Sequence, residues 1–536
     1  MQFIKTLGVT LAFAASAFAP MAYAAKTWMK AESPHFIVYS DTDRKTTEAY
    51  VLRLEQYRYA INLFYAQPAA EDGQLPKFKM YFLEDRKDMQ QVWPKVPDYV
   101  AGFYTSCVED QAAFAIDFDD EVVEKKKITD QPENMSQVVI FHEYAHHFMF
   151  ENADQLYPHW FVEGFADYYG GSRMQGDTIA VGVPAMGRGL ALQMARRLNY
   201  EDVLRNAPDM LKRDKIDLFY AQSWLLTHWF MATPERQAQL SSYIEAYNHR
   251  EDPLTSFERI TGVSVKDLPK VLSKYTNTMQ VEVFRMKDMP IPAITVSDMP
   301  ASAHDMLLLD ASARVCMQRG DKDGNTPFIQ AVHETAARWP SDDYANRTLA
   351  RIDIVIGDES KAVPWLKPYA ETHPNDAEVL AMLGEAYYLM TMHDKLAEGE
   401  TKTSQMKHAR ELLMHAYKLD PLRAATLYYL SRAQQDLPGY PNETAINAAI
   451  QAHILVPAVS DYAVTAADLL IRTDRMSEAR DMLVPLSNNP HGGNGAIWAD
   501  NIIAAIDAGK PKAEIIKLFQ TPVQPEAPET GAKNKS

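Results

Sequence analysis

The C-terminal part of the chain consists of similar segments, and this regularity restricts the fold more than any other feature of the sequence. Five prolines mark the segments, separated by 34, 47, 36 and 33 residues: Pro340, Pro374, Pro421, Pro457 and Pro490. Each proline follows a stretch that can end a helix, because proline cannot continue one. A unit of this length holds two helices, which bury their apolar faces only against the neighbouring unit. The pattern therefore predicts an all-α array of stacked helix pairs over residues 301–520.

Two short matches relate this period to a known repeat. The sequence Leu383-Gly384-x-x-Tyr387 resembles the first helix of a tetratricopeptide repeat, and residues 409–416 resemble its second helix. The resemblance implies a tetratricopeptide-like solenoid, whose concave surface would bind a protein partner or a substrate. The longest unit would carry an extra loop at about residues 391–404. An unrelated helical bundle with a coincidental proline spacing is the alternative.

The chain before residue 286 mixes strand and helix patterns. Aromatic and β-branched residues predict four strands, at residues 35–40, 77–82, 99–104 and 112–117. After residue 134 helical patterns dominate, and Asn134 with Gln137 predicts a capping box that opens a helix running to about Phe150. The predicted fold class is α+β. It comprises a small mixed sheet in residues 25–130, a helical subdomain in residues 131–285, and then the all-α array.

The two ends of the chain and one internal segment differ in composition from the rest. Lys5 precedes an apolar run over residues 7–18, and Ala22 and Ala24 are small residues of the kind found at a cleavage site. We therefore expect residues 1–24 to be a signal peptide and the mature protein to be periplasmic or secreted. No later apolar stretch is long enough to span a membrane. Three prolines predict a linker without regular structure at residues 286–300, and residues 521–536 have the composition of a disordered tail.

The net charge narrows the classes of binding partner, and the number of cysteines limits the disulfide bonds that the chain can form. Asp and Glu number 71 against 54 for Lys and Arg, which gives a net charge of −17. An acidic chain has no surplus of cations to displace the counterions of a phosphate backbone, so we expect no nucleic-acid partner. The two cysteines, Cys107 and Cys316, are too few for a disulfide scaffold. They can pair in an oxidising compartment or remain two separate buried thiols, and the sequence leaves both alternatives open.

The residues with the clearest chemical meaning are His142-Glu143-Tyr144-Ala145-His146. Two histidines four residues apart project from one face of a helix, where both can bind a single metal ion. Glu143 lies beside them, where a carboxylate can accept a proton from a metal-bound water. Hydrolytic zinc sites use three protein ligands and keep a fourth position open. We expect Glu163 to be the third ligand of a Zn²⁺ ion. Asp167, about one helical turn later, is expected to orient a ligand histidine through a hydrogen bond.

These residues resemble a known group of enzymes. The pattern His142-Glu143-x-x-His146, followed by Trp160-x-x-Glu163-Gly-x-Ala-Asp167, is similar to that of gluzincin zinc metallopeptidases, specifically the peptidase-MA-like group of exported bacterial proteins. Softer matches at residues 102–104, 220–228 and 257–262 extend the resemblance over roughly residues 30–280. The resemblance implies a zinc-dependent peptidase in which Glu143 is the general base. The gap between the second histidine and Glu163 is slightly shorter than in thermolysin-like enzymes.

Two questions stay open after the family resemblance. Peptide hydrolysis needs a hydrogen-bond donor for the oxyanion besides the metal, and Tyr220 is the first candidate, with His228 as an accessory one. The alternative is that Tyr220 is an ordinary core aromatic. A second function class is an interaction scaffold. In such a protein the helical repeats bind a partner, and the metal site is structural or vestigial. Glu143 favours the enzyme, because a structural zinc site has no use for a carboxylate base.

Overall fold

A computed structural model describes the protein over ten stretches of the chain: residues 27–65, 73–97, 100–116, 127–130, 134–152, 155–193, 197–206, 215–317, 322–489 and 493–521. The predicted signal peptide, Pro490 and residues 522–536 of the predicted tail lie outside these stretches. Within them, no helix is both long and apolar enough to cross a membrane.

The strands of the described chain form two sheets. In chain order they are β1 (Met29–Glu32), β2 (Phe36–Ser40), β3 (Phe78–Leu83), β4 (Gly102–Ser106), β5 (Gln111–Ile116), β6 (Arg173–Gln175), β7 (Thr178–Val181), β8 (Glu282–Arg285) and β9 (Thr295–Asp298). The larger sheet has the strand order β4-β5-β3-β2-β1-β9, and β6, β7 and β8 form the smaller one. In the larger sheet β3 runs parallel to β2 and β5, whereas the other pairs are antiparallel. The sheet is therefore mixed, and β2 to β5 correspond to the four predicted strands.

Helices surround the larger sheet and dominate the region after it. Those before residue 285 are α1 (Arg44–Tyr65), α2 (Arg86–Val92), α3 (Met135–Glu151), α4 (His159–Gly170), α5 (Met186–Gln193), α6 (Tyr200–Leu204), α7 (Ile216–Met231), α8 (Pro234–Asn248), α9 (Pro253–Thr261) and α10 (Leu268–Tyr275). Apolar side chains from α1, α3, α4, α7 and α8 form one continuous core with the sheet. This core contains the helix that carries the histidine motif.

The C-terminal part is helical throughout its described residues. Its helices are α11 (Ala303–Arg314), α12 (Lys322–Ala336), α13 (Asp343–Val355), α14 (Val363–Thr372), α15 (Ala377–Met392), α16 (Lys402–Leu419), α17 (Ala424–Arg432), α18 (Glu443–Leu455), α19 (Ser460–Arg472), α20 (Met476–Asn488), α21 (Gly493–Asp507) and α22 (Lys512–Gln520). Consecutive helices pack on one another, as α15 does on α16 and α17 on α18. Four of the five marker prolines lie in turns between helices: Pro340, Pro374, Pro421 and Pro457. The chain thus has a mixed α+β fold with an all-helical C-terminal part.

The two faces of the larger sheet contact different parts of the molecule. On β3, Met80 and Phe82 belong to the core that contains α3. Tyr81 and Leu83 alternate with them and pack on the opposite face, in a cluster with residues of α2 and α11. A strand sends successive side chains to opposite faces, so this apolar run is buried on both sides. The sheet therefore separates the helix with the histidine motif from the first helices of the C-terminal part.

The segment predicted to be a linker without regular structure is ordered at its end. Residues 295–298 form β9, which pairs antiparallel with β1 at the edge of the larger sheet. Arg44 of α1 donates a hydrogen bond from Nη1 to the carbonyl oxygen of Val296 at 2.7 Å. The prediction is wrong for these residues, because Pro290 and Pro292 precede the strand and Pro300 follows it, which leaves the backbone N–H groups of the strand free to pair. Residues 287–294 contain no helix or strand, as predicted.

The helical part is fastened to the sheet. Cys107, which follows β4, forms a disulfide with Cys316, which follows α11, and their Cα atoms are 5.9 Å apart. The alternative of two separate thiols is therefore wrong. Arg423 at the start of α17 donates a hydrogen bond to Glu109 at 3.0 Å. A covalent bond and a buried ion pair thus hold the two parts together, in addition to the apolar contact beneath α11.

We expect limited proteolysis to cut the exposed segment 287–294, where Ile291 is 96% exposed. The two fragments should remain linked, because the disulfide joins the chain on both sides of the cut. Denaturing electrophoresis should show one band without reductant and two bands with it. In the matched variant Cys316→Ser, the fragments should separate without reductant. Separate bands from the wild-type protein under oxidising conditions would contradict the observed pairing.

Candidate metal centre

The histidine motif lies on α3, and the N-terminus of this helix is fixed. The Asn134 side chain accepts a hydrogen bond from the backbone N–H of Gln137 at 3.0 Å, so the predicted cap is confirmed. The side chain of Gln137 does not complete a reciprocal capping box. It donates instead to the carbonyl oxygen of Ser172, just before β6. This contact joins the start of α3 to the chain that follows α4.

One face of α3 packs on α1 and the larger sheet. The rings of Tyr57 and Phe141 stack with their centroids 3.7 Å apart, and the Tyr57 hydroxyl donates to the Phe141 carbonyl oxygen at 2.8 Å. Tyr144 contacts the ring of Phe36 on β2, with centroids 5.3 Å apart. Because successive residues of a helix are rotated by about 100°, these contacts turn the two motif histidines to a different face, toward α4.

Helix α4 carries Glu163 and Asp167 and lies in backbone contact with its neighbours. A Cβ atom at Gly164 would stand 2.5 Å from the carbonyl oxygen of Ser223 in α7. A Cβ atom at Gly170 would stand 3.0 Å from the Cβ of His142 in α3. Since the neighbouring atoms belong to helix backbones or lie next to them, a larger residue at either position would push α4 away. The two glycines therefore permit the short distance between the helices that bear the ligands.

The structure brings the three predicted metal ligands together. The Nε2 atoms of His142 and His146 are 3.1 Å apart, and Glu163 Oε2 lies 3.6 and 3.5 Å from them. Around a tetrahedral zinc ion with bonds of about 2.0–2.2 Å, ligand atoms stand roughly 3.3–3.6 Å apart. His146 and Glu163 are buried, whereas His142 is partly exposed. The donor types and their separations thus fit three vertices of a tetrahedral metal ion.

Asp167 holds His142 from the side away from the other ligands. Its Oδ1 atom lies 2.9 Å from His142 Nδ1, which is the contact that the sequence predicts. Arg188 of α5 donates from Nε to Asp167 Oδ2 at 2.7 Å. Burial alone would raise the pKa of Asp167, but the charge of Arg188 and the hydrogen bond with His142 lower it below its usual value. The carboxylate therefore stays ionised and keeps Nε2 of His142 directed at the other ligands.

The two ligand histidines respond differently to their surroundings. Burial works against the charged form of both. At His142 the hydrogen bond and negative charge of Asp167, with further carboxylates nearby, outweigh burial and raise the pKa to about 9. At His146 burial prevails over Glu163, and the pKa lies below its usual value. A metal ion binds only neutral imidazole, so a bound cation would replace the proton of His142 and balance the same carboxylates.

Glu143 and Tyr220 both lie beside the three ligands. Glu143 is partly exposed, and its negative charge acts on His142 and on Tyr220. The ring of Tyr220 lies edge-on to that of His142, with centroids 6.4 Å apart. Burial and the nearby carboxylates of Glu163 and Asp167 raise the pKa of Tyr220 well above its usual value. The hydroxyl therefore stays protonated at neutral pH and can donate a hydrogen bond.

Sequence reasoning missed Arg188. Its guanidinium group lies 4.7 Å from the centre of the Tyr220 ring while it also binds Asp167. One side chain thereby positions both the phenol and the carboxylate that orients His142. Arg188 stands between Gly187 and Gly189, outside every motif of the sequence, and no local pattern distinguishes it from a surface arginine.

Two other histidines, His228 and His147, have partners outside the ligand set. His228 is on α7, eight residues and about 12 Å after Tyr220. Its Nδ1 atom lies 2.7 Å from the hydroxyl of Tyr275, and burial lowers its pKa to about 4. The observed partner of His228 Nδ1 is thus Tyr275 and not one of the three ligands, and the accessory role that we expected stays a prediction. His147 lies on the other side of α3, with Nε2 2.9 Å from Glu151 Oε1.

The chain between α3 and α4 is held on both sides by asparagine side chains. Asn248 of α8 bonds to both the N–H and the carbonyl oxygen of Leu156, each at 2.9 Å. Asn488 of α20 accepts from the N–H of Tyr157 and donates to the carbonyl oxygen of Gln155, again at 2.9 Å. The Leu156 side chain is buried in the apolar cluster of α18 to α22. The C-terminal helices thus fix the entry into α4, the helix that carries the third ligand.

Comparison with known proteins identifies no relative of this chain. No protein-family model matches it, and neither a curated protein nor a solved structure does.

We expect Asn488→Ala to loosen the segment 155–157 even though the substitution lies on the C-terminal helices. The N–H of Tyr157 and the carbonyl oxygen of Gln155 would both lose a buried partner, which costs about 1–3 kcal/mol for each group. Amide hydrogen exchange of this segment should become about tenfold or more faster, as measured by mass spectrometry. The neighbouring Ser487→Ala is the matched control and should leave the rate unchanged. Unchanged exchange in Asn488→Ala would show that the C-terminal helices do not hold the segment.

Proposed function

We propose that this protein is an exported zinc metallopeptidase of the gluzincin type, similar to the peptidase-MA-like group, with tetratricopeptide-like repeats that bind a partner or a substrate. One observation carries the proposal: His142, His146 and Glu163 converge with their ligand atoms 3.1–3.6 Å apart. A carboxylate and a phenol that the ligand set does not use lie beside them. Three ligands, a base and a donor are the parts that metal-assisted hydrolysis requires.

Each residue of the centre would have a separate role in peptide-bond hydrolysis. A zinc ion held by His142, His146 and Glu163 would supply Lewis-acid activation of a water molecule and of a peptide carbonyl. Glu143 accepts the proton of the attacking water and passes it to the leaving amine. Tyr220 donates a hydrogen bond from its protonated hydroxyl to the developing oxyanion. Asp167 and Arg188 touch no reacting atom. They position His142 and Tyr220.

An interaction scaffold is the alternative function. Such a scaffold exposes the concave surface of its repeats to a partner. A scaffold gives no reason for Glu143 to stand next to two converging histidines. The peptidase is therefore the better supported proposal.

We expect the purified protein to bind about one zinc ion per chain, measured by elemental analysis after dialysis. His146→Ala should abolish binding, because it removes a buried ligand, and Glu163→Ala should weaken it. Asp167→Asn should lower zinc affinity by about 10–100-fold, since it acts through His142. The exposed His249 offers a matched control, and His249→Ala should bind zinc like the wild-type protein. Full zinc content in His146→Ala would refute the ligand assignment.

We expect Glu143→Gln to retain zinc and fold while losing the base that generates the nucleophile. Peptide hydrolysis should fall by roughly 10²–10⁴-fold. If Tyr220 donates to the oxyanion, Tyr220→Phe should lower kcat by roughly 10²-fold with little change in KM, because the hydrogen bond strengthens only in the transition state. Both rates are measured on one cleavable peptide.

Two control variants keep these measurements specific. Glu245→Gln makes the same change on the exposed face of α8, and Tyr59→Phe removes a hydroxyl from a half-buried tyrosine of α1. Neither should alter the rate. Full activity of Glu143→Gln would exclude the hydrolytic mechanism, whereas full activity of Tyr220→Phe would remove only the tyrosine from it.

A further inference from the structure

The turn that joins β4 to β5 is attached to the C-terminal helices at successive residues. Cys107 forms the disulfide with Cys316, which follows α11. The carbonyl oxygen of Val108 accepts a hydrogen bond from the hydroxyl of Tyr462 on α19. The next residue, Glu109, is buried beside them. The turn therefore lies between the larger sheet and the helices, where water has little access.

The same turn is connected to the helix that carries the histidine motif. Strand β4, which ends at Ser106, packs on α3, since a Cβ atom at Gly102 would stand 3.1 Å from Cγ1 of Val139. Val139 lies three residues before His142. A change in how firmly the turn is held can therefore reach α3 through β4.

One guanidinium group at this turn binds two buried carboxyl groups. Arg423 donates from Nη2 to Glu109 at 3.0 Å and from Nη1 to Glu385 of α15 at 2.5 Å. Both glutamate side chains are 1% exposed. Within the described stretches, no other cationic side chain forms an ion pair with either of them. This triad therefore has one positive charge for two negative ones whenever both carboxyl groups are ionised, which burial disfavours.

A neighbouring carboxylate on the same helix shows the opposite balance. Glu378 lies two turns before Glu385 and is bound by three guanidinium groups, at 2.7–3.0 Å: those of Arg314, Arg347 and Arg351. Burial alone would raise the pKa of Glu378, but these three charges lower it well below its usual value. The number of cations around a buried carboxyl group thus decides its protonation at this interface.

The triad lacks that excess of cations. Burial and the negative charge of Glu109 outweigh the attraction of Arg423 and raise the pKa of Glu385 to about 7. Arg351 of α13 opposes this shift with a smaller effect. Tyr462 of α19 also faces the triad, and burial keeps its hydroxyl neutral by raising its pKa well above the usual value. One carboxyl group of the triad therefore titrates close to neutral pH.

The other ionisable side chains next to α15 have partners elsewhere. Glu359 lies 3.0 Å from His393, which follows α15. Arg432 of α17 donates to the hydroxyl of Tyr388 at 2.9 Å. The buried residues of α14 and α16 are uncharged. These groups therefore do not supply the cation that the triad lacks.

We propose that the triad is a pH-sensitive attachment, which holds one proton on its two carboxyl groups in mildly acidic solution and releases it to water near neutral pH, loosening the turn. When the turn detaches, Glu385 becomes hydrated and regains its ordinary pKa of 4.5, so that between about pH 4.5 and 7 the attached state binds more protons than the detached state. Attachment is therefore tightest in acid, weakens as the pH rises through this range and changes little above it. The device does not depend on the proposed peptidase activity.

The first test measures amide hydrogen exchange of residues 106–111 in the oxidised, full-length protein at about pH 5 and pH 8. Each rate is divided by the intrinsic rate at that pH, because base catalysis alone accelerates exchange. The corrected rate should be about tenfold or more higher at pH 8, and most of the rise should occur below about pH 7.

Two variants assign this pH dependence to the triad. Glu385→Gln keeps the size of the side chain and leaves Arg423 with one anion, so the corrected rate should be the same at both pH values. Glu109→Gln should remove the pH dependence for the same reason. Glu371→Gln changes an exposed glutamate of α14 and is the matched control, which should behave like the wild-type protein.

A second measurement detects the proton directly. A protonated carboxyl group has its own C=O stretching band in the infrared spectrum. The difference spectrum between about pH 6 and pH 8 should show the loss of such a band in the wild-type protein, and Glu385→Gln should lack this signal.

Three results would overturn the proposal. They are equal corrected exchange rates of the wild-type turn at both pH values, an undiminished pH dependence in Glu385→Gln, and an infrared difference spectrum that Glu385→Gln leaves unchanged. If Glu385→Gln fails to fold by circular dichroism, Glu109→Gln takes its place in both measurements. Because neither measurement follows zinc or hydrolysis, the outcome is distinct from that of the peptidase tests.

Discussion

The candidate metal centre depends on the close approach of α4 to α3 and α7. Gly164 and Gly170 remove the two Cβ atoms that would otherwise collide with the neighbouring helices. Glu163 Oε2 can then lie 3.5 Å from His146 Nε2. Metal–ligand bonds tolerate deviations of only about 0.2 Å. The spacing of helix backbones, rather than the presence of suitable side chains alone, therefore decides whether these residues form one site.

Burial makes the charges around α3 depend on one another. Asp167 is ionised inside the protein because His142 and Arg188 both bind it. On the other side of the helix, Glu151 is bound by His147 and Arg58. A buried carboxylate is stabilised only when such partners surround it, and loss of one partner leaves an uncompensated charge. The helix is thus held on both sides by carboxylates that fix histidine rings.

The C-terminal helices take part in this arrangement. They hold the chain between α3 and α4 through Asn488, and the bond between Cys107 and Cys316 joins them to the end of β4. Their inner side faces the larger sheet across a cavity with polar walls. A change on the C-terminal helices can therefore reach the candidate metal centre through the segment 155–157.

The sequence by itself determined the features that depend on local periodicity. A spacing of four residues places His142 and His146 on one helix face, and strand patterns and prolines located β2 to β5 and the helix boundaries. It also indicated Glu163 and Asp167, since a short motif joins them. Only the tertiary structure decided that Arg188 binds Asp167, that β9 joins the sheet, that the cysteines pair and that Asn488 holds the segment before α4. These contacts join residues from about twenty to more than three hundred positions apart. No repeating pattern encodes such distances, because they depend on how whole helices and strands pack.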